Sequence, residues 1–437
     1  MLKDTFCSSP WFHIRLSYDG SYKKCRWQRG FEPENNINEV GILECLKTDE
    51  MSNFRLELLN GGTPKGCDTC YYQDEVHKLS ARHKQLLKSG IRVDDFENSL
   101  LSSPHIEDFK YSNDNEGATN RVPTDLHVDI GNLCNSGCIM CEPYASTKLT
   151  QDYIKLHKKS DLFYNPVPYT PWVENKTVFD KFLSDIKSID NLRYLQVLGG
   201  ETLYNKAFYD ICNSLIASGK SQTCILGTTT NGTIYKSELE YIIPKFKEFH
   251  LGISIEAVTP LNDYIRYPGK IDSILENIDR FLALRKTSPG LYITLRITPN
   301  IFTVYELDQL FAYAIEKNIT LESCYIMFKP ECLRMELLPD DIRQEVIDKL
   351  QNLIDRHGLT RHNITNIRNQ SSISEVTSDS VYEYLDFVKS YNKPLDIDHQ
   401  RKKLVEFLKS FESLRNNNIL DYAPRYKDFL TSLGYKP

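Results

Sequence analysis

Between about residue 121 and residue 340, short apolar runs alternate with stretches whose apolar residues recur every three or four positions. The runs DLHVDI, LRYLQVL, TCILGTTT, FHLGISI, YITLRIT and ESCYIMF are rich in β-branched and aromatic residues, and each predicts a strand. Between them VFDKFLSDIKSI, AFYDICNSLIAS, SILENIDRFLALRK and VYELDQLFAYAIEKN predict helices. Six strands alternating with helices imply parallel βα units joined by right-handed crossovers, hence an α/β fold. An open doubly wound sheet and part of a (β/α) barrel both satisfy the pattern, and both put chemistry at the carboxyl ends of the strands.

The flanks follow other rhythms. WFHIRLSYDGSYKKCRW alternates apolar and polar residues around Asp19-Gly20 and predicts a hairpin. DEVHKLSARHKQLLKSG predicts a helix stopping at Gly90. Residues 91–120 read as a polar linker. Beyond Pro339, PDDIRQEVIDKLQNLIDRHG and DIDHQRKKLVEFLKSFESLRNNN predict helices separated by a Ser/Asn-rich stretch. A chain of 437 residues exceeds one compact core. The expected division is a small cysteine-rich domain at 1–90, a linker at 91–120, a barrel at 121–340 and a helical region at 341–437.

Apolar residues make up 41% of the chain and charged residues 26%, the balance of a soluble globular protein. A net charge of −6 gives no bulk attraction to nucleic acid or to an anionic membrane. The opening residues MLKDTFCSSPWFHIRLSYDG lack a charged-then-apolar leader, and no apolar run is long enough to span a bilayer, so the expected location is the cytoplasm. Twelve cysteines then change the picture, because a reducing compartment turns clustered thiols into metal ligands. One group is Cys134, Cys138 and Cys141; a second is Cys7, Cys25, Cys67 and Cys70; Cys45, Cys212, Cys224, Cys324 and Cys332 are scattered at core-like positions.

The first group lies in DIGNLCNSGCIMCEP, directly after the first strand of the series, with the spacing C-x3-C-x2-C. Thiolates select zinc, copper(I) or iron–sulfur clusters. Structural zinc and a [4Fe–4S] cube both want four ligands, so three local thiols either borrow a distant ligand or leave one iron open. Buried thiols with no metal are the plain alternative. The motif and its position resemble the radical S-adenosylmethionine (SAM) superfamily, whose core is a partial (β/α)6 barrel. The resemblance implies that the open iron chelates SAM, that one electron from the reduced cluster cleaves it to a 5′-deoxyadenosyl radical, and that this radical takes a hydrogen atom from the substrate. It also implies a one-electron donor such as flavodoxin or ferredoxin.

The same resemblance assigns the later strand ends. LGGET supplies Gly199, Gly200, Glu201 and Thr202 at the place of the family's GGE motif, with Glu201 facing the SAM ammonium and Thr202 standing where proline is usual. TTTNG supplies Asn231, and SIEA supplies Ser254 and Glu256, for the SAM ribose and carboxylate. LRITPN supplies Arg296 and Thr298, and YIMFKP supplies Phe328 for the adenine. Met140, preceding the third cysteine, stands where many members carry an aromatic residue. Among residues without a motif, His13, His127 and Asp129 fall in strands, and FYNPVPYTPWVEN (163–175) reads as either a lid or a packed loop.

Cys7, Cys25 and the pair Cys67-x2-Cys70 can close a hairpin against a knuckle around one metal. Zinc satisfies that arrangement. The C-x12-G-x4-C spacing through Gly20 resembles the opening of twitch and SPASM domains, which implies an auxiliary [4Fe–4S] cluster, although such domains usually follow the barrel. The expected function is a radical SAM enzyme acting on a peptide or protein side chain. A sugar, nucleoside or other small metabolite is the second expectation, and a zinc-stapled binding module without catalysis is the alternative of another class.

Overall fold

The computed structural model describes residues 2–25, 34–75, 80–322, 327, 329–362, 373–390 and 396–436. Among the described residues eight strands form one sheet: β1 (His13–Leu16), β2 (Tyr22–Lys23), β3 (Asp125–Asp129), β4 (Tyr194–Leu198), β5 (Ile225–Thr230), β6 (Glu248–Ser254), β7 (Leu291–Arg296) and β8 (Thr320–Glu322). Their order is β2-β1-β3-β4-β5-β6-β7-β8, and every pairing except β1 with β2 is parallel. Five of the six strands expected from the apolar runs are β3 to β7, neighbours in chain order as βα crossovers require; the sixth, ESCYIMF, lies mostly outside the described residues, and β8 meets it only at Glu322. Leu126, Val128, Leu195, Val197, Leu226 and Leu295 are buried, which is why these strands read as apolar runs. The helices between them start at side-chain caps where the sequence offers one: Asn175 accepts from the amide of Val178, and Asn205 from that of Ala207.

The N-terminal hairpin forms as expected, its turn held by Asp19, which accepts from the amide and hydroxyl of Ser21, and by Gly20 at φ +88°. It belongs to the barrel sheet: β1 runs parallel to β3 with His13 opposite Asp125 and Leu16 opposite Val128. Charges stitch the junction. Lys88 reaches Asp125 at 2.8 Å, and Arg15 donates to Asp129 at 3.0 and 2.6 Å. Burial alone would raise the Asp129 pKa, but the His127 imidazole and the Arg15 guanidinium overcome it and hold the carboxyl at about 2. A depressed carboxyl stabilises the fold above its unfolded pKa near 3.9 and loses that contribution as pH falls toward 2. Asp129→Asn is therefore expected to remove about 2 kcal/mol of stability at neutral pH and to flatten the loss between pH 5 and pH 2, measured by urea unfolding across that range.

Two expectations are corrected. Residues 91–120 are not a polar linker: they form the helices Phe96–Leu101 and Ile106–Asp114. Phe96 and Phe109 join Phe6, Trp11, Phe12, Leu86 and Ile91 in a second small core, and Trp11 Nε1 donates to Ser112 at 2.8 Å. One core aromatic from each helix outweighs a polar average when a neighbouring tryptophan gives it something to cover. Likewise, the Ser/Asn-rich stretch between the C-terminal helices Asp340–His357 and Ile397–Arg415 contains a third helix, Ile373–Ser390. It buries Val381, Leu385 and Val388, and its Thr377 hydroxyl accepts from the amide of Leu321 in β8. The helix expected at 74–90 is described as Asp68–Glu75 and Ala81–Lys88, the latter ending before Gly90 at φ +75°. Among the described residues, no helix is long and apolar enough to cross a membrane.

Candidate functional site

The loop after β3 carries the first three thiols and is clamped from several elements. Gly137 N donates to Tyr267 O at 2.7 Å and Ile139 N to Ile265 O at 3.0 Å, tying the loop to the connection after β6. Ser146 Oγ donates to Ser136 O at 2.6 Å, and Thr147 Oγ1 accepts from Cys134 N at 3.2 Å. Burial first, then the nearby Cys138 thiol, pushes the Cys134 thiol up to about 12; burial, Cys138 and Cys134 do the same to Cys141. Burial also raises Cys138, against the pull of Arg266 and Arg415. Arg266 Nη1 lies 3.7 Å from Cys138 Sγ. Three soft donors on one partly buried loop beside buried cations suit an anionic iron–sulfur centre, whose binding would release the thiol protons.

At the end of β4, Gly200 N donates to Gly131 O at 2.9 Å and Glu201 N to Leu133 O at 2.8 Å, so the GGE segment lies directly against the cysteine loop. A Cβ on Gly200 would come within 2.5 Å of Asn132 O and 2.7 Å of Leu133 O. Only glycine permits that approach. Gly200→Ala is expected to push the loop away and to lower iron retained on anaerobic purification by about 10-fold, read by iron and sulfide assay. Glu201 is fully buried, and its carboxylate accepts from Leu203 N at 3.1 Å, Thr230 Oγ1 at 2.7 Å and Asn231 N at 2.6 Å. It thus struts the ends of β4 and β5 together. Thr202 is buried beside it, its hydroxyl without a partner among the described residues.

Asn231 works the same way from β5: its amide donates to Asn135 Oδ1 at 2.8 Å and Ser136 Oγ at 3.0 Å, latching the cysteine loop. Glu256, after β6, is buried with Arg266 at 2.5 Å and the amide of Thr298 at 2.8 Å on its two oxygens. Burial raises the Glu256 pKa while Arg266 opposes the rise; burial works against the Arg266 charge, and Glu256 with the Cys138 and Cys141 thiols more than restores it. Arg296 lies across the sheet, with its Nε close over Gly252 and its Nη1 donating to Thr229 at 3.3 Å. Ser254 is half-buried at the end of β6, opposite Arg296, and Met140 is half-buried against the main core. The structure therefore gathers Gly199, Gly200, Glu201, Asn231, Glu256 and Thr298 around the thiol loop. Phe328 lies outside the described residues.

Sequence reasoning missed Arg266, Asn262, Arg415 and Asp152. Asn262 accepts from Glu256 N at 2.9 Å, and Arg415 joins Asp152 at 2.9 Å beside the loop. None stands in a spacing that announces it. The loop 163–175 is anchored at points and exposed between them: Phe163, Pro166 and Trp172 are buried, Trp172 Nε1 donates to Asp129 O at 2.9 Å, and Tyr169 donates to Tyr144 O at 2.9 Å. Tyr18 of the hairpin turn stacks on Tyr144 and contacts Tyr169, at 5.2 and 4.2 Å between ring centres. Tyr144, Tyr164 and Val167 remain exposed on this rim.

Cys7, Cys25, Cys67 and Cys70 also come near one another. After burial, Cys25 and then Cys70 raise the Cys67 thiol to about 12, and Cys25 helps hold Cys70 at about 11. Cys7 feels Cys25, Cys70 and Cys67. Cys7 precedes β1 and Cys25 follows β2, so this set sits at the amino-terminal end of β1, whereas the Cys134 loop follows the carboxyl end of β3. The two thiol sets lie at opposite ends of one strand pair. Among the described residues, no three His, Cys, Asp or Glu side chains are spaced to hold a single metal ion. Cys45, Cys212, Cys224 and Cys332 are core residues, and Cys324 lies outside the described residues.

Residues 128–300 match the sequence model of the Radical SAM superfamily. Among curated proteins, none matches. Similar solved structures include SuiB of Streptococcus suis bound to S-adenosylmethionine, at 14% identity and a TM-score of 0.37, covering 80% of this chain and 71% of that one. The same protein bound to precursor peptide SuiA matches at 13% identity and 0.37, covering 81% and 70%. Native anSMEcpe with bound AdoMet matches at 17% identity and 0.35, covering 52% of this chain and 58% of its own.

Proposed function

We propose that this chain is a radical SAM enzyme, a reading supported by the match of residues 128–300 to the Radical SAM superfamily model, in which Cys134, Cys138 and Cys141 hold a [4Fe–4S] cluster and leave its fourth iron to SAM. The observation that carries this reading is the partly buried three-thiol loop at the carboxyl end of β3, with the β4, β5 and β6 ends fastened to it. When bound, the cluster and SAM supply one-electron cleavage of the sulfonium and hydrogen-atom abstraction from a substrate. The chain's own residues fix where that happens. Gly199 and Gly200 let the backbone close on the loop, and Glu201 and Thr202 fix the β4 turn. Asn231 holds Asn135 and Ser136 in place. Glu256 orients Arg266 through one oxygen and the Thr298 amide through the other. Ser254 and Arg296 stand at the remaining strand ends and Met140 within the thiol loop, with Phe328 assigned to the adenine.

The substrate class we assign is a peptide or protein side chain. The exposed aromatic and aliphatic rim of Tyr144, Tyr164 and Val167 supports an extended partner over a small polar metabolite. Cys7, Cys25, Cys67 and Cys70 are assigned to a second, fully ligated [4Fe–4S] centre. Their place at the amino-terminal end of β1 suits a structural staple or an electron relay more than a wall of the substrate pocket.

The test is chemical. Protein purified without oxygen is expected to hold about eight irons per chain with matching sulfide. With dithionite and SAM it is expected to release 5′-deoxyadenosine, and deuterium from the right substrate should appear in that product. Zinc without sulfide, or no 5′-deoxyadenosine from iron-loaded protein, overturns the reading.

A further inference from the structure

The helix Ile397–Arg415 belongs to the C-terminal region, which carries no motif, yet its last residue ends inside the thiol site. Arg415 Nη2 donates to Gly137 O at 2.5 Å, and the guanidinium pairs with Asp152 at 2.9 Å; both side chains of that pair are 2% exposed. The guanidinium also lies 4.9 Å from the Tyr267 ring centre and 4.4 Å from that of Phe411. Tyr267 is the residue whose carbonyl receives Gly137 N, so the Gly137–Cys138 turn is gripped on both sides. On the other flank Arg266 points at Cys138 Sγ. Three N–H groups here, Arg415 Nε, Arg415 Nη1 and Arg266 Nε, are buried without a hydrogen-bond partner among the described residues.

A buried N–H with no partner is costly, and Glu256 and Asp152 pair with the two guanidiniums without reaching these three N–H groups. The cysteinyl cluster is the anion that fits: its sulfurs accept weak hydrogen bonds, and its charge meets the fields of both arginines. We propose that Arg415, carried in by the C-terminal helix, is a positioning residue for the cluster, fixing the Gly137–Cys138 turn and with Arg266 bracketing the Cys138 corner with positive charge. This rests on the function assigned above. It makes the C-terminal region part of the cluster site and gives the helix Ile397–Arg415 a task that the sequence does not reveal.

Arg415→Met keeps the buried bulk and removes the charge and donors, while Arg415→Lys keeps the charge. Each is made in the full chain and purified without oxygen beside Arg266→Lys and wild type. Three readouts are taken: iron and sulfide retained, the midpoint potential of the SAM cluster by paramagnetic-resonance titration, and thermal unfolding of iron-free protein. Arg415→Met is expected to lose cluster affinity by about 10- to 100-fold, the usual cost of removing a group that orients a metal ligand. The cluster it does keep should reduce at a more negative potential, because a nearby positive charge stabilises the added electron. Arg415→Lys should recover most of the potential even if its melting temperature falls as far as that of the methionine variant. A merely structural arginine would lower the melting temperature of both variants and leave the potential of retained cluster unmoved; that result overturns the inference. Wild type without iron and sulfide would overturn the underlying function and this inference together.

Discussion

Cys138→Ala is expected to abolish 5′-deoxyadenosine formation from SAM and dithionite, with loss of about four irons per chain. Cys138 is the most enclosed of the three thiols, 8% exposed, and the one that Arg266 touches. Its removal leaves two thiols for a cube that needs three protein corners, and it leaves the Arg266 guanidinium facing a cavity instead of a thiolate. The loss should exceed the roughly 100-fold upper range seen when only a supporting residue is removed. The backbone clamps from Tyr267, Ile265 and Ser146 do not involve the sulfur, so the iron-free variant should still fold. Iron assay and product chromatography on the same preparation separate cluster loss from unfolding. Wild-type turnover by this variant would remove Cys138 from the site.

The second large effect lies far from the chemistry. Arg55 is fully buried, and it donates to Gly117 O at 2.6 Å, Leu46 O at 2.8 Å and Pro10 O at 3.0 Å. One side chain thus satisfies carbonyls from three segments of the N-terminal unit. Burial draws its pKa down to about 10, so it still carries its charge at neutral pH. Arg55→Met leaves three buried carbonyls without donors, and the expected destabilisation is about 3–5 kcal/mol. Gly117 is part of the same joint: at φ +80° its Cα lies so close to Ser52 that a Cβ would come within 2.0 Å of the Ser52 carbonyl oxygen. Urea unfolding followed by tryptophan fluorescence checks this, since Trp11 sits in the core beside the joint. A variant within about 1 kcal/mol of wild type would show that water replaces the guanidinium at little cost.

What the sequence disclosed follows from range. The barrel strands β3 to β6 are buried or half-buried along their whole length, so each is a largely apolar run that needs no partner to be recognised. The β1–β2 hairpin was legible because its turn chemistry is local, but its membership of the barrel sheet was not, since His13 and Asp125 stand 112 positions apart. The helices at 96–114 were hidden because only Phe96 and Phe109 mark them, and their partners Phe6 and Trp11 belong to another segment. The thiol loop was readable from spacing alone. Arg266 and Arg415 were not, because an isolated arginine in DYIRYP or SLRNNN looks like any solvated cation until the fold buries it. The sequence reading set Glu201 toward the SAM ammonium; the structure shows its carboxylate accepting three hydrogen bonds within the chain, from partners the sequence does not mark.

The parallel seam between β1 and β3 has one more implication. A chain begun immediately ahead of β3 would strip that strand of its neighbour and bare a row of main-chain donors and acceptors along a buried strand. Such a rim invites self-association between copies, so the leading segment serves as a selvedge that keeps the sheet from fraying into aggregates, quite apart from whatever its thiols bind.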